Sequence, residues 1–409
     1  MSARRRIATI SAYGSHPSGR NIEQMLAAAF PEYEIDHFSV LDLLKQHREW
    51  VAPNLVYVAV QYGPAILRRH LNIRGAYFLT TFAFKRLRQM MRRTLDPARY
   101  AFSFQLQSLY DTSVPGIPHF VYTDHTHLSN LQYPDFDRRR LRPRSWRALE
   151  RTVYENATAI FTRSSNVSSD LMQFYGVPPQ KVECVYAGSN LPEPPGSADP
   201  ICELDAARRP STLAASHGSQ RRLLFVGMDW ERKGGPDLLQ AFRRVRQDHP
   251  DARLTIVGPE MALDEPNCEV AGRVNPSQLE QYYANADIFC LPTRREPFGI
   301  AFVEAMTHRL PIVGTRVGAV PDMVEDGLNG YLVEPGDIAG LHRALSRMLA
   351  DPAATERMGE RGFERATERY NWANVGKRIR ARIMKHIETP PAESALPEPC
   401  RSTALRPHG

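Results

Sequence analysis

The segment Glu296-Pro-Phe-Gly-Ile-Ala-Phe-Val-Glu304 sets two carboxylates eight positions apart, on either side of a glycine able to open a helix. A strand-like run, Ala286-Asp-Ile-Phe-Cys-Leu-Pro292, leads into it, and Pro311 marks the return to a strand. The pattern predicts a helix from about Gly299 to about His308. Glu296 then stands in a loop at the carboxyl end of a strand, and Glu304 projects about a turn inside the helix. The backbone N–H groups of Phe298, Gly299 and Ile300 become helix-terminal donors with no intrahelical partner, and with the positive end of the helix dipole they suit a phosphate. Carboxylates accept paired hydrogen bonds from vicinal hydroxyls. One loop thus offers an anion site between two hydroxyl-binding groups, which is the chemistry needed to hold a sugar nucleotide.

The elements that must position this loop follow an alternating pattern. In the first half, strands are predicted at Arg6 to Ala12, Glu34 to Ser39, Leu55 to Val60, His119 to Thr123 and Ala159 to Thr162, with a Gly/Ser/Pro loop and a helix (Asn21 to Ala29) after the first. In the second half, strands at 223–226, 253–257, 287–291, 310–314 and 330–333 alternate with helices at 236–247, 276–285, 299–308 and 338–349, and helical segments at 352–369 and about 372–387 follow. Alternating strands and helices imply parallel sheets covered on both faces. The fold class expected is α/β, two Rossmann-like doubly wound domains facing a cleft at the carboxyl ends of both sheets. The expected division is a first domain over 1–195, a linker over 196–220, a second domain over 221–370, a final helix over 371–388 and a disordered Pro-rich tail over 389–409.

A length of 409 residues suits two domains of about 150–200 residues each. No apolar run approaches the roughly 20 residues of a membrane span, and the opening lacks a signal-peptide core, so a cytoplasmic protein is expected. Five scattered cysteines read as reduced thiols, which makes the sequons at Asn156 and Asn166 accidental. The net charge of +7 favours an anionic partner. Residues 82–95 mix apolar and cationic side chains at helical spacing, which fits either an anionic membrane surface or a core-packed helix with a solvated basic face.

Three motifs in order carry a resemblance. Glu296 to Glu304 resembles the E-x7-E element of the retaining glycosyltransferases of family 4, which have the GT-B fold. Leu224-Phe-Val-Gly-Met-Asp-Trp-Glu-Arg-Lys-Gly-Gly235 is similar to that family's loop at the start of its second domain, and residues 310–337 to its closing strand-turn-strand signature. The likeness covers 221–350 strongly and the first half weakly.

The resemblance implies a retaining hexosyltransferase that takes a sugar from a nucleotide diphosphate donor to a hydroxyl of a glycan or lipid-linked acceptor, with no metal and no further cofactor. The donor phosphate would serve as base on the same face. Arg232 and Lys233 would bind the diphosphate. Many members carry Arg directly after the strand's glycine, where this chain has Met228, so Arg232 is expected to share the work with Lys233. Glu296 would contact donor-sugar hydroxyls and Glu304 the ribose. In the loop Tyr122-Thr-Asp-His-Thr-His127, His125 is the candidate for the sugar, with Asp124 and His127 as alternatives. Gly14 and Gly19 lie in the first strand-to-helix loop, and Gly19 is the better candidate for close approach to phosphate. The last helix would cross back onto the first domain. A membrane-borne acceptor fits the basic first half, and no nucleic-acid partner is expected.

Competing readings are a sugar-nucleotide epimerase of the same architecture and a non-catalytic basic adaptor on membrane or nucleic acid. The absence of G-x-G-x-x-G and of a P-loop motif argues against a dinucleotide enzyme and a P-loop ATPase. Asp135-Phe-Asp137 is a D-x-D tripeptide of the kind that holds a divalent ion, but no strand is predicted before it.

Overall fold

The computed structural model describes residues 6–11, 17–68, 71–191 and 221–388. Gly14, the expected junction and the expected tail lie outside them. Twelve strands form two six-stranded sheets, and every pairing between them is parallel. The first sheet holds β1 (Arg6–Ser11), β2 (Glu34–Ser39), β3 (Tyr100–Leu106), β4 (His119–Thr123), β5 (Ala159–Thr162) and β6 (Val182–Cys184), in the order β2-β1-β3-β4-β5-β6. The second holds β7 (Arg222–Val226), β8 (Arg253–Val257), β9 (Cys268–Gly272), β10 (Ile288–Leu291), β11 (Ile312–Thr315) and β12 (Gly330–Val333), in the order β12-β11-β10-β7-β8-β9.

Each order reverses direction once, between β1 and β3 in the first sheet and between β7 and β10 in the second. Such a switch point opens a crevice at the carboxyl ends of the strands, because the flanking loops leave towards opposite sides. The central strands are buried on both faces. Phe102, Phe104, Phe120 and Phe161 fill the first core, and Leu254, Ile256, Phe289 and Phe302 the second, all without measurable exposure. Apolar burial on this scale is the main favourable term in holding such sheets together.

The last helix, Trp372–Glu388, leaves the second domain and packs on helix Pro17–Ala29 of the first. Gly376 lets the two approach, since a Cβ there would lie 3.2 Å from Met25 Cγ. Arg380 donates to the Ala29 carbonyl at 2.7 Å, and the Trp372 indole N–H donates to the Ser189 carbonyl at 2.8 Å.

Two local expectations change, and the two readings of residues 82–95 are narrowed. The run Leu55 to Val60 is not a strand but the middle of helix Val51–Leu67. The run's three β-branched valines (Val56, Val58 and Val60) mimic a strand, while Asn54, Val58 and Tyr62 recur at helical spacing as the helix's buried stripe. Gly19 does not precede the first helix. That helix begins at Pro17, as a proline at a first helical position allows. Gly19 is therefore in its first turn, and a Cβ there would meet nothing within 4 Å. Residues 82–95 lie mostly within helix Thr81–Thr94, which buries Phe84, Leu87 and Met91 and leaves Lys85, Arg86, Arg92 and Arg93 exposed, so its apolar face belongs to the core.

Candidate active site

The loops after β7 and β10 meet at the second sheet's switch point. Gly234 adopts φ +76°, and a Cβ there would lie 1.9 Å from the Pro292 carbonyl oxygen. Only glycine fits a left-handed turn pressed so closely on another backbone. That approach brings Lys233 Nζ to 2.5 Å from Glu296 Oε2, with both side chains almost wholly buried. The Glu296 carbonyl accepts the N–H of Ala319 at 3.1 Å, beside Gly318, whose φ of +52° and tight contact with the same carbonyl leave no room for a side chain. Glu296 is thus fixed by backbone on one side and by a cation on the other.

Arg232 is employed differently from its neighbour. Its guanidinium bonds Asp229 at 3.1 Å and the Arg295 carbonyl at 2.9 Å, lacing the two loops together, while Lys233 alone reaches Glu296. Helix Ile300–Thr307 opens at Gly299, which has φ +90°. The N–H groups of Phe298, Gly299 and Ile300 find no acceptor among the described residues. Glu304 lies on the helix's buried face and accepts a hydrogen bond from the Tyr283 hydroxyl at 2.9 Å. Burial pushes its carboxyl up to about 7, and the Tyr283 bond only partly offsets this.

From the first domain, the loop after β4 brings His125 to the cleft. Its ring lies nearly parallel to that of Tyr133, with centroids 6.3 Å apart. Burial lowers its pKa below the usual histidine value and favours the neutral ring, opposed by the charge of Asp124. Of the alternatives, His127 is committed elsewhere. Its Nε2 accepts the N–H of Arg142 at 2.9 Å, its ring meets Trp146 edge-on, and burial drives its pKa down to about 3. Asp124 faces Arg163 at 3.8 Å.

Three polar atoms in this cleft are buried and have no hydrogen-bond partner: His125 Nδ1, the Tyr133 hydroxyl and Arg295 Nε. The Tyr133 hydroxyl lies across from Glu296, since a Cβ built on Gly318 would stand 3.2 Å from it. Arg295 is in electrostatic reach of both His125 and Tyr133. An unsatisfied buried polar group costs about 1–3 kcal/mol. Three in one cleft mark a place where a polar ligand completes the hydrogen bonding.

Sequence reasoning passed over Tyr133, Arg295 and Tyr283. Arg295 is adjacent to Glu296 in a doublet whose first member, Arg294, is held by Asp237 at 2.9 Å. The domains are also latched: Asp322 accepts the Ser165 N–H at 2.6 Å and its hydroxyl at 2.5 Å, capping helix Ser165–Tyr175 from the opposite domain. Asp137 of the D-x-D tripeptide caps a turn by accepting the Arg139 N–H at 2.9 Å. Among the described residues no three His, Cys, Asp or Glu side chains gather as metal ligands would.

A family model described as Glycosyl transferases group 1 matches residues 220–351, and one described as Glycosyltransferase Family 4 matches residues 67–191. Together they take in more than half of the chain. Glycogen synthase of Mycobacterium tuberculosis is 26% identical over 239 residues, 56% of this chain and 54% of that protein. The chain spans about half the length of the curated relatives it matches first. Sucrose-phosphate synthase from Thermosynechococcus elongatus superposes with a TM-score of 0.63 at 15% identity, over 93% of this chain and 99% of that one. The Anabaena protein HepE, in complex with UDP and glucose, does so with a TM-score of 0.60 at 15% identity, over 93% of this chain and 100% of that one. These likenesses establish the shared fold. With two facing doubly wound sheets and both family models in order along it, the chain belongs to the group 1 glycosyltransferases of family 4, on the GT-B fold.

Proposed function

We propose that this protein is a retaining hexosyltransferase that moves a hexose from a nucleoside diphosphate sugar to a hydroxyl of a glycan or lipid-linked acceptor without a bound metal. The observation that carries the reading is the buried Lys233–Glu296 pair, with the unpartnered Arg295 Nε beside it, facing across the cleft the unpartnered atoms of His125 and Tyr133. In this reading the diphosphate takes Lys233, Arg295 and the free N–H groups of Phe298, Gly299 and Ile300. Glu304 accepts the ribose diol, while Glu296, released by Lys233, accepts hydroxyls of the hexose. His125, favoured in its neutral form, offers Nδ1 to the sugar, and Tyr133 its hydroxyl.

Positive charge grows on the sugar as its C1–O bond to the β-phosphate breaks. Fixed donors aimed at the departing phosphate lower that barrier because they need no reorganisation during the reaction. The acceptor oxygen bonds C1 on the same face, its proton passes to the leaving phosphate oxygen, and a glycoside and a nucleoside diphosphate result. Since a fold neighbour carries UDP and glucose, UDP-glucose is the first donor to test. No helix of the described residues is long and apolar enough to cross a membrane. We place the enzyme in the cytoplasm, with the acceptor side of the fold towards a membrane-borne glycan or lipid.

The test is to follow release of nucleoside diphosphate with and without a candidate acceptor, and to read the anomeric proton of the product by NMR. An α-configured product from an α-configured donor is expected. A β product overturns retention, and conversion of the donor to an isomer without transfer indicates an epimerase.

A further inference from the structure

Helix Val51–Leu67 contains no charged residue, yet only Asn54, Val58 and Tyr62 are buried. Val56, Val60 and Leu67 are 62%, 77% and 86% exposed, and Ile73 in the next helix is 56% exposed. Of the ten large hydrophobic side chains exposed among the described residues, seven fall between Val51 and Ile73. Contiguous exposed apolar surface of this kind marks a contact face, because scattered exposure would not concentrate on one helix.

Charge beside it indicates the partner. From Trp50 to Leu95 the sequence has eight Lys and Arg and no Asp or Glu. Helix Thr81–Thr94 packs alongside through Tyr57 on Phe82, with ring centroids 5.3 Å apart, and Arg86 sits over Phe82. Its exposed Lys85, Arg86, Arg92 and Arg93 have no carboxylate partner among the described residues. An uncharged apolar ridge edged by unneutralised cations is complementary to an anionic bilayer, whose headgroups take the cations while the acyl boundary takes the ridge. A helix of 17 residues that buries one stripe in its own protein lies in the interface and does not cross it.

The geometry points to a monotopic membrane-docking face, in which Val56, Val60, Leu67 and Ile73 enter an anionic phospholipid surface and the basic face of helix Thr81–Thr94 contacts its headgroups. The buried side of the same ridge leads to the site. Tyr62 is in electrostatic reach of Arg142, which in turn acts on His125, and we place the docked bilayer on the acceptor side of the cleft. This deepens the acceptor reading and rests on it only for what the membrane brings.

The test is flotation of the full chain, without sugar nucleotide, on vesicles of phosphatidylcholine alone and of phosphatidylcholine with phosphatidylglycerol. Recovery is expected with the anionic vesicles and little with the neutral ones. Val60→Glu/Leu67→Glu is expected to lower the partition coefficient at least tenfold. Arg92→Ala/Arg93→Ala should lower it by about fivefold per charge at low salt. Both variants alter exposed positions, so unchanged donor binding and melting show that they fold. Absence of flotation with folded protein overturns the inference, as does flotation insensitive to Val60→Glu/Leu67→Glu. A wild-type dimer that the apolar-face variant converts to monomer, with vesicle binding unaltered, also overturns it by showing that a second copy covers the ridge. Donor binding is measured separately, so the transferase reading stands or falls without this result.

Discussion

Replacing Glu304 with glutamine removes a charge that the folded protein disfavours. Burial raises the Glu304 carboxyl from 4.5 to about 7, and its only aid is the Tyr283 hydroxyl at 2.9 Å. At roughly 1.4 kcal/mol per pH unit, ionising it in the fold costs about 3 kcal/mol. Below pH 4.5 the folded and unfolded chains both hold the proton, and no penalty applies. As pH rises towards 7 the unfolded chain releases its proton while the native carboxyl keeps it, so stability falls. Above 7 both are ionised and the full penalty remains. Glutamine keeps an acceptor for Tyr283 without the charge. Glu304→Gln should therefore match wild type near pH 4.5 and exceed it by about 3 kcal/mol at pH 8, a gap of about 6–12 °C in Tm for a domain of this size. Calorimetric melts from pH 5 to 8 without ligand measure it, and taking the difference cancels other titrating groups. Donor affinity of the variant should nevertheless drop at least tenfold, because a ribose diol bonds best to a charged acceptor. A gap that does not widen with pH would refute the reasoning, as would a variant less stable at pH 8.

Lys233→Met should destabilise the protein by about 3–5 kcal/mol by stranding the buried Glu296 carboxylate. Lys233→Met/Glu296→Gln should recover most of that in urea unfolding and remain inactive; failure of the double variant to recover would locate the cost elsewhere. Tyr133→Phe should leave Tm unchanged or slightly raised, since its hydroxyl has no partner, while kcat/KM falls at least tenfold. Wild-type activity in that variant would remove Tyr133 from the site. Asp322→Ala removes the cap on Ser165, worth about 1 kcal/mol, and one tie between the domains. Small-angle scattering without donor should show a larger radius of gyration, and an unchanged radius would mean that the last helix's contacts with the first domain, among them those of Trp372, Arg378 and Arg380, suffice to set the domain angle.

The second domain was legible because its chemistry is local. Gly234, Gly299 and the Glu296-to-Glu304 spacing all lie in loops whose direction follows from the strands before them, and β-strand and helix periods there are distinct. The first domain hid more. Strand β3 begins in a Tyr-Ala-Phe-Ser alternation with no glycine or proline close behind it, and helix Val51–Leu67 carries β-branched residues on an uncharged ridge, which removes the polar face by which an amphipathic helix is recognised. Tyr133, Arg295 and Asp322 could not be read at all from spacing. Each matters through an atom supplied by the other domain, and sequence distance carries no information about which loops a cleft brings together. His125 and His127 show the same limit within one loop: the bond from Arg142 to His127 Nε2 and the packing of its ring on Trp146 separate a packed histidine from one open to ligand.

The central claim is that the cleft binds a nucleoside diphosphate sugar through Lys233 and Glu304. Titrating the purified protein with UDP-, GDP- and ADP-hexoses by calorimetry, alongside Lys233→Ala and Glu304→Ala, tests it most directly. Saturable binding of one donor, weakened at least tenfold in both variants that remain folded, is expected. Folded protein that binds none of these donors, or binds one equally well without either side chain, would contradict the account.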